Sequence, residues 1–428
     1  MKRIALYGYG YYGKRTSESF HLYWGGAFEV TAIFDEKLAG EKDPYWGLEV
    51  LPPERLREEF EKGTFEAVML CINMPALRGD LKAKLKSMGI PLFLPGSVED
   101  IADPEDFQQE EKPEIRVSRK GYSFHVYQKM LGAVPDFDRT YMFFLFDESG
   151  RINFNNYRKY QHDFREMICS YPFRLKDPVP ERIYMKGDYC VISKSYCFNY
   201  WHFTFEIADG VYLLEQAGFR GKYIYKELPY IRELLLILGV TPDRLIPSRS
   251  LEIHRVYEFE RLFDINHSGF APMECSREVL PEMAAFVQRK LTRNEKSPKR
   301  IYLKRIGVRK LLNDDDIFIK NGFSVIVPEN YSVLEQMNLF YNADIVIGAH
   351  GANCTNYLYM RKGTVFVEIS SDRWKMDIFR GVSEACGVRY LKIEGKTDEA
   401  GLDNREVDFR VDEEVLQKAI CEAEAMVS

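Results

Sequence analysis

The sequence predicts an α/β protein built from parallel sheets with helices on both faces, and three observations carry that prediction. Short apolar runs of strand length alternate with helical patterns over the first hundred residues, and again from residue 298 onward. A glycine-rich turn joins the first apolar run to the first helical pattern. The chain has 428 residues, too many for one ordinary core, so two or three domains are expected.

Taken in order, Lys2 to Tyr7 reads as a strand, followed by the turn Gly8-Tyr9-Gly10-Tyr11-Tyr12-Gly13 and a helix. Phe28 to Phe34, Ala67 to Ile72 and Pro91 to Leu94 read as further strands of the same unit. Residues 101–120 are charged and proline-punctuated, which predicts a linker. Beyond it, Tyr141–Phe146 and Arg182–Ser195 carry strand character, Trp201 to Ala217 a helix. Tyr223–Leu228 and Arg244–Ile246 read as short parallel strands around a helix at Tyr230–Leu238. Ile301–Leu303, Phe323–Val327, Ile345–Gly348 and Val365–Ile369 then form a second doubly wound pattern. The expected domains are 1–105, 120–290 and 291–428.

Composition narrows the function. Hydrophobic residues at 46% and charged residues at 29% are globular values. A net charge of −6 argues against a nucleic-acid binder, which needs a basic face. The start runs straight into a strand, and no window approaches the roughly 18 apolar residues of a membrane span. The eight cysteines form no CxxC pair, so neither a zinc knuckle nor a disulfide framework is indicated. The expectation is a cytoplasmic protein with no nucleic-acid partner.

Gly8, Gly10 and Gly13 fit GxGxxG between a strand and a helix, with Asp35 closing the second strand. In a dinucleotide site such glycines admit pyrophosphate to the helix N-terminus, and the acid binds ribose. Tyr9, Tyr11 and Tyr12 crowd the turn, so a Rossmann-like turn kept for packing is the other reading. The layout resembles the small nucleotide- or coenzyme A-binding domains fused to bacterial sugar-modifying enzymes.

The strongest pattern lies between Ile301 and Ile369. Arg305 follows a strand and Arg309 lies four residues on; two guanidiniums so placed suit a diphosphate. Asn313 before three aspartates reads as a helix cap with acids in the first turn, rather than a metal site. Ser332 and Glu335 read as a capping box opening a helix that contains Gln336. His350, Gly351, Ala352 and Asn353 sit at a strand's carboxyl end, where open α/β sheets bind phosphate. Glu368 falls at the end of the following strand, placed either to hold ribose hydroxyls or to face solvent.

A third piece is Asn199-Tyr200-Trp201-His202-Phe203-Thr204-Phe205-Glu206. His202 and Glu206 share one helix face, with Asp209 nearby. A carboxylate beside an imidazole can serve as a general base for a hydroxyl, or be an ordinary polar pair.

These pieces occur in the order that marks glycosyltransferase family 61, which the chain resembles over residues 120–428. The resemblance rests on Asn199, His202 and Glu206; on Arg305, Arg309 and Asn313; on Gln336; on His350, Gly351, Ala352 and Asn356; and on Glu368. It implies a GT-B fold of two Rossmann-like lobes and an inverting transfer from a nucleotide sugar, UDP-linked, to a glycan or lipid-linked saccharide. On that view Glu206 is the base, aided by His202. Arg305, Arg309 and the 350–353 turn with Asn356 hold the diphosphate, and no metal or other cofactor is required. The chain departs from the family in carrying Glu206 where Asp is usual, Cys354 where small residues are commoner, and the extra N-terminal region.

Two other readings stay open: an NAD-dependent oxidoreductase centred on Gly8–Gly13, and a non-catalytic nucleotide-sugar binder. Bacterial polysaccharide (capsule) synthesis suits the cytoplasmic expectation. Lipid-linked acceptors would bring the protein to a membrane surface without a span, and a homo-oligomer is open.

Overall fold

The computed structural model describes residues 2–22, 28–72, 75–93, 101–102, 123–133, 144–153, 175, 181–193, 197–252, 255–266, 277–313, 315–374, 376–397 and 407–427. Most of the expected linker (103–120), Tyr141–Phe143, Asp314, Cys169 and Cys275 lie outside the described residues. Three sheets organise the chain.

The first sheet has the order β3-β2-β1-β4, from β1 (Lys2–Tyr7), β2 (Phe28–Phe34), β3 (Val50–Leu51) and β4 (Ala67–Leu70). All its pairings are parallel. The strands are buried on both sides, as continuous apolar runs such as Ile4-Ala5-Leu6 and Ala67-Val68-Met69-Leu70 require. The strand expected at Pro91–Leu94 is reduced to one bridge between Leu92 and Val68. Pro91, just before that point, has no N–H to give the ladder.

The second sheet has the order β11-β10-β9-β12-β6-β7-β8-β5. Its strands are β5 (Ile101–Ala102), β6 (Ser123–Ala133), β7 (Phe144–Phe146), β8 (Ile152–Asn153), β9 (Arg182–Val191), β10 (Lys222–Tyr225), β11 (Leu245–Pro247) and β12 (Val256–Asn266). Three departures from the sequence reading stand out. Ile101–Ala102, assigned to a linker, pairs with Ile152–Asn153. The two eleven-residue strands β6 and β12 carry no clear alternation in sequence. β12 interrupts its apolar residues with Glu258, Glu260 and Arg261, and Arg261 is neutralised by Asp188 at 2.6 and 2.7 Å. The sheet is also mixed: β9 to β12 is parallel, but β12–β6, β6–β7 and β7–β8 are antiparallel.

The third sheet is wholly parallel, with the order β14-β13-β15-β16-β17. It comprises β13 (Arg300–Leu303), β14 (Ser324–Ile326), β15 (Ile345–Ala349), β16 (Val365–Ser371) and β17 (Arg389–Gly395). The helix Val333–Asn342 opens on the expected capping box, Ser332 and Glu335 each satisfying the other's backbone N–H. The cap expected of Asn313 is absent. Its amide instead pairs with the backbone of Val411 in both directions, at 2.8 and 2.9 Å, as a strand residue would.

The second and third regions share one apolar core. A single cluster runs from Cys190, Phe205 and Phe263 through Met283 to Leu303, Tyr357 and Phe366. The helix Val279–Gln288 sits within it, and Gln288 donates to the Met360 carbonyl at 2.7 Å. A second cluster joins Ile4, Leu6 and Met69 of the first sheet to Leu131, Phe146 and Val256 of the second. No helix among the described residues is long and apolar enough to cross a membrane.

Candidate functional site

The helix expected from Trp201 is interrupted where chemistry was expected. Asn199 caps its start, accepting from the Trp201 N–H at 2.9 Å. The backbone then loosens into a π-turn at Thr204–Ala208 before the helix resumes at Asp209–Gln216. Such turns cost backbone regularity and recur at functional sites. Glu206 sits inside this one, 7% exposed, with Oε2 3.0 Å from Nδ1 of His202. Asp209 is buried, and its carboxylate accepts from the Gly210 N–H.

The carboxyl edge of the third sheet gathers the remaining residues. β13 and β15 are neighbours, so Arg305 just past one and His350 just past the other meet although they are 45 residues apart: Arg305 Nη1 donates to the His350 carbonyl at 3.3 Å. Arg305 Nε also donates to the Val308 carbonyl at 2.6 Å. Gly351 is extended, and a Cβ built there would stand 1.6 Å from Arg305 Nη1. Glycine is needed at 351 to leave room for that guanidinium. Gly351→Ala is therefore expected to dislodge Arg305 and to have the same effect on ligand binding as Arg305→Ala, with little change in melting temperature. Wild-type affinity in Gly351→Ala would show that the guanidinium's place does not matter.

His350 is buried and layered between rings, 4.3 Å from Trp374 and 5.1 Å from Phe379 between centroids. Its Nδ1 lies 2.5 Å from Glu368 Oε1. A carboxylate accepts, so the proton of this contact sits on Nδ1 and leaves Nε2 as the ring's other polar atom. Burial pushes the imidazole pKa down, with the Arg309 and Lys392 charges adding to it; the Glu368 contact opposes that shift. Glu368 itself lies mid-strand at 0% exposure, its other oxygen taken by the Tyr390 hydroxyl. It faces neither solvent nor an open site, and burial together with Glu368 pushes the tyrosine pKa up.

Arg309 lies over the Trp374 ring, its Cζ 5.3 Å from the centroid. Cys354 fills space behind the turn, fully buried, its thiol donating to the Ala349 carbonyl. Asn356 is also fully buried: it accepts from the Tyr200 hydroxyl at 2.7 Å and donates to Gln336 at 2.9 Å. That chain ties the helix turn bearing His202 to the helix bearing Gln336.

Ala352 and Asn353 line a cleft of about 410 Å³ between the two regions. Tyr200, Tyr230, Tyr331 and Gln336 form part of its wall. Glu233 enters the cleft and accepts the Val333 and Leu334 N–H groups, both at 2.9 Å, so a carboxylate from one region covers a helix N-terminus of the other. Among the described residues no cluster of three or more metal-ligating side chains occurs.

In the N-terminal region Gly8 is left-handed, at φ +94, and a Cβ at Gly13 would stand 2.0 Å from the Gly8 carbonyl. The turn is thus built for close packing, while Gly10 faces open space. Asp35 accepts from the backbone of Tyr9 at 2.7 Å, Lys37 at 2.9 Å and Leu38 at 3.0 Å, so its carboxylate holds the turn itself. Tyr9 is buried, its hydroxyl bonded to Asp43.

Sequence patterning missed Trp374, Tyr390 and Glu233. None lies in a spaced motif, and each reaches the site only through tertiary contact.

The parallel third sheet thus presents guanidiniums, an imidazole and a glycine turn at its carboxyl edge, and the middle region carries a buried carboxylate–imidazole pair. Residues 200–367 match the family model described as Glycosyltransferase 61, a match that supports a glycosyltransferase. No curated protein matches the chain.

Proposed function

We propose that the protein is an inverting glycosyltransferase of GT-B type, acting in the cytoplasm on a nucleoside-diphosphate sugar, UDP-linked, with a glycan or lipid-linked saccharide as acceptor. The observation that carries this reading is the meeting of Arg305 with His350 over Gly351, in the same assembly that fixes Glu206 against His202.

In this reading Glu206 takes the proton from an acceptor hydroxyl as its oxygen attacks the anomeric carbon. The bond from that carbon to the phosphate oxygen breaks, and the diphosphate leaves with the electron pair. His202 holds the carboxylate by donating to Oε2. Arg305, Arg309 and the turn at His350 hold the diphosphate, and the two guanidiniums neutralise the charge that develops on it, a task for which fixed cations in a partly dry site suffice without a metal. Glu206 is one methylene longer than aspartate, so its reach is set by the π-turn that carries it.

Calorimetric titration of UDP, GDP, CMP, NAD and coenzyme A onto wild type and Arg305→Ala tests the reading. The expected result is one nucleoside diphosphate that binds wild type and loses about 1.5–3 kcal/mol in the variant, the worth of a charge-assisted hydrogen bond. Binding of NAD or coenzyme A alone, unaffected by Arg305→Ala, would move the activity to the N-terminal glycine turn and overturn the proposal.

A further inference from the structure

Three polar atoms around the Gly351 turn are buried with no hydrogen-bond partner: Nδ2 and Oδ1 of Asn353 and Nε1 of Trp374. A buried donor left unpaired costs about 1–3 kcal/mol, so native structures rarely keep one without a use for it. Trp374 is placed for such a use. Its ring has Arg309 on it at 5.3 Å and the His350 ring at 4.3 Å, tilted by 34°. Phe379 backs His350 at 5.1 Å. The order is cation, indole, imidazole, phenyl. Trp374 lies three residues past β16, and its own backbone N–H is spent on the Ser371 carbonyl at 3.0 Å, which fixes the residue while leaving the indole N–H uncommitted.

The residue above it is strained. Arg309 adopts φ +62, which a side chain rarely adopts, and Gly307 two positions earlier adopts φ +88. Strain of this kind persists where surrounding structure or ligand contact enforces it. The loop holds the Arg309 guanidinium against the indole, where the ring's negative face attracts it.

We propose, building on the donor-site reading above, that Trp374 is a further diphosphate-binding residue. Its ring keeps Arg309 and His350 in one layer, and its indole N–H donates to a phosphate oxygen once Arg309 moves onto the ligand. The ring's part is positioning; the N–H makes direct contact.

Trp374→Phe keeps the aromatic layer and removes only the N–H. It is expected to weaken binding of the nucleoside diphosphate that binds wild type by about tenfold or more, at unchanged melting temperature. Trp374→Leu removes the layer as well. In a double-mutant cycle with Arg309→Ala its loss should be strongly non-additive, because the ring acts through the guanidinium. Wild-type protein labelled with ¹⁵N-tryptophan gives a readout that needs no variant to fold: of the four indole resonances, one should shift downfield when the diphosphate is added. Wild-type affinity in Trp374→Phe together with four unmoved indole resonances would overturn the proposal, provided Arg305→Ala still loses affinity. Absence of any nucleoside-diphosphate binding by wild type would instead overturn the donor site, and the role of Trp374 with it.

Discussion

Glu206→Gln is expected to lower the rate of sugar transfer by about 10²–10⁴-fold, the usual contribution of a positioned general base, while leaving nucleoside-diphosphate affinity within about twofold of wild type. The substitution is close to isosteric, and the amide oxygen can still accept the His202 N–H at the 3.0 Å now spanned by the carboxylate. The buried π-turn around Glu206 therefore has no reason to rearrange. What is lost is the negative charge that takes the proton. The measurement is the initial rate of nucleoside-diphosphate release with acceptor present, beside a direct binding titration. A rate within tenfold of wild type would remove Glu206 as the base. Loss of binding along with rate would make it part of the donor site instead.

Glu368→Ala is expected to be the most destabilising single change near the site. Glu368 is fully buried, and its two oxygens accept from His350 Nδ1 and the Tyr390 hydroxyl. Truncation leaves the His350 Nδ1 donor buried and unpaired, at about 1–3 kcal/mol, leaves the Tyr390 hydroxyl only its contact with Asp377 at 3.2 Å, and opens a gap in mid-strand. Denaturant unfolding should show a loss of about 1–3 kcal/mol from the orphaned donor, with the gap adding to it. Tyr390→Phe should cost less, because the carboxylate keeps its contact with His350. Equal stability for wild type and Glu368→Ala would mean that the His350 donor finds another partner, and that Glu368 does not fix the imidazole. The two experiments separate chemistry from scaffold: Glu206 should matter to rate and little to folding, Glu368 to folding and, through His350, to ligand binding.

Much of the C-terminal region was legible from the sequence, because parallel strands buried on both faces leave unbroken apolar runs such as Ile345-Val346-Ile347. The capping box at Ser332 and Glu335 was legible for the same local reason: its partners are three residues apart and need no tertiary context. So was the His202–Glu206 contact, which one turn of helix enforces. The middle region was less legible. Strand β12 hides charged residues in its pattern, and they are matched from strand β9: Arg261 by Asp188 and Glu258 by Arg182. Asn313 shows the converse error. A helix-cap residue before acids is a local signal, but Val411, 98 residues away, offered it a strand-like pairing instead.

The sequence by itself determined the α/β class, the carboxyl-edge placement of Arg305 and His350, and the helix face shared by His202 and Glu206, because periodicity and short-range spacing fix these. Only the tertiary structure decided that Glu368 lies beneath His350 rather than in the open, that Gly351 is small to admit the Arg305 guanidinium, and that Trp374, Tyr390 and Glu233 belong to the site. These depend on which strands lie side by side and on which atoms burial leaves with or without a hydrogen-bond partner, and neither is written in local sequence.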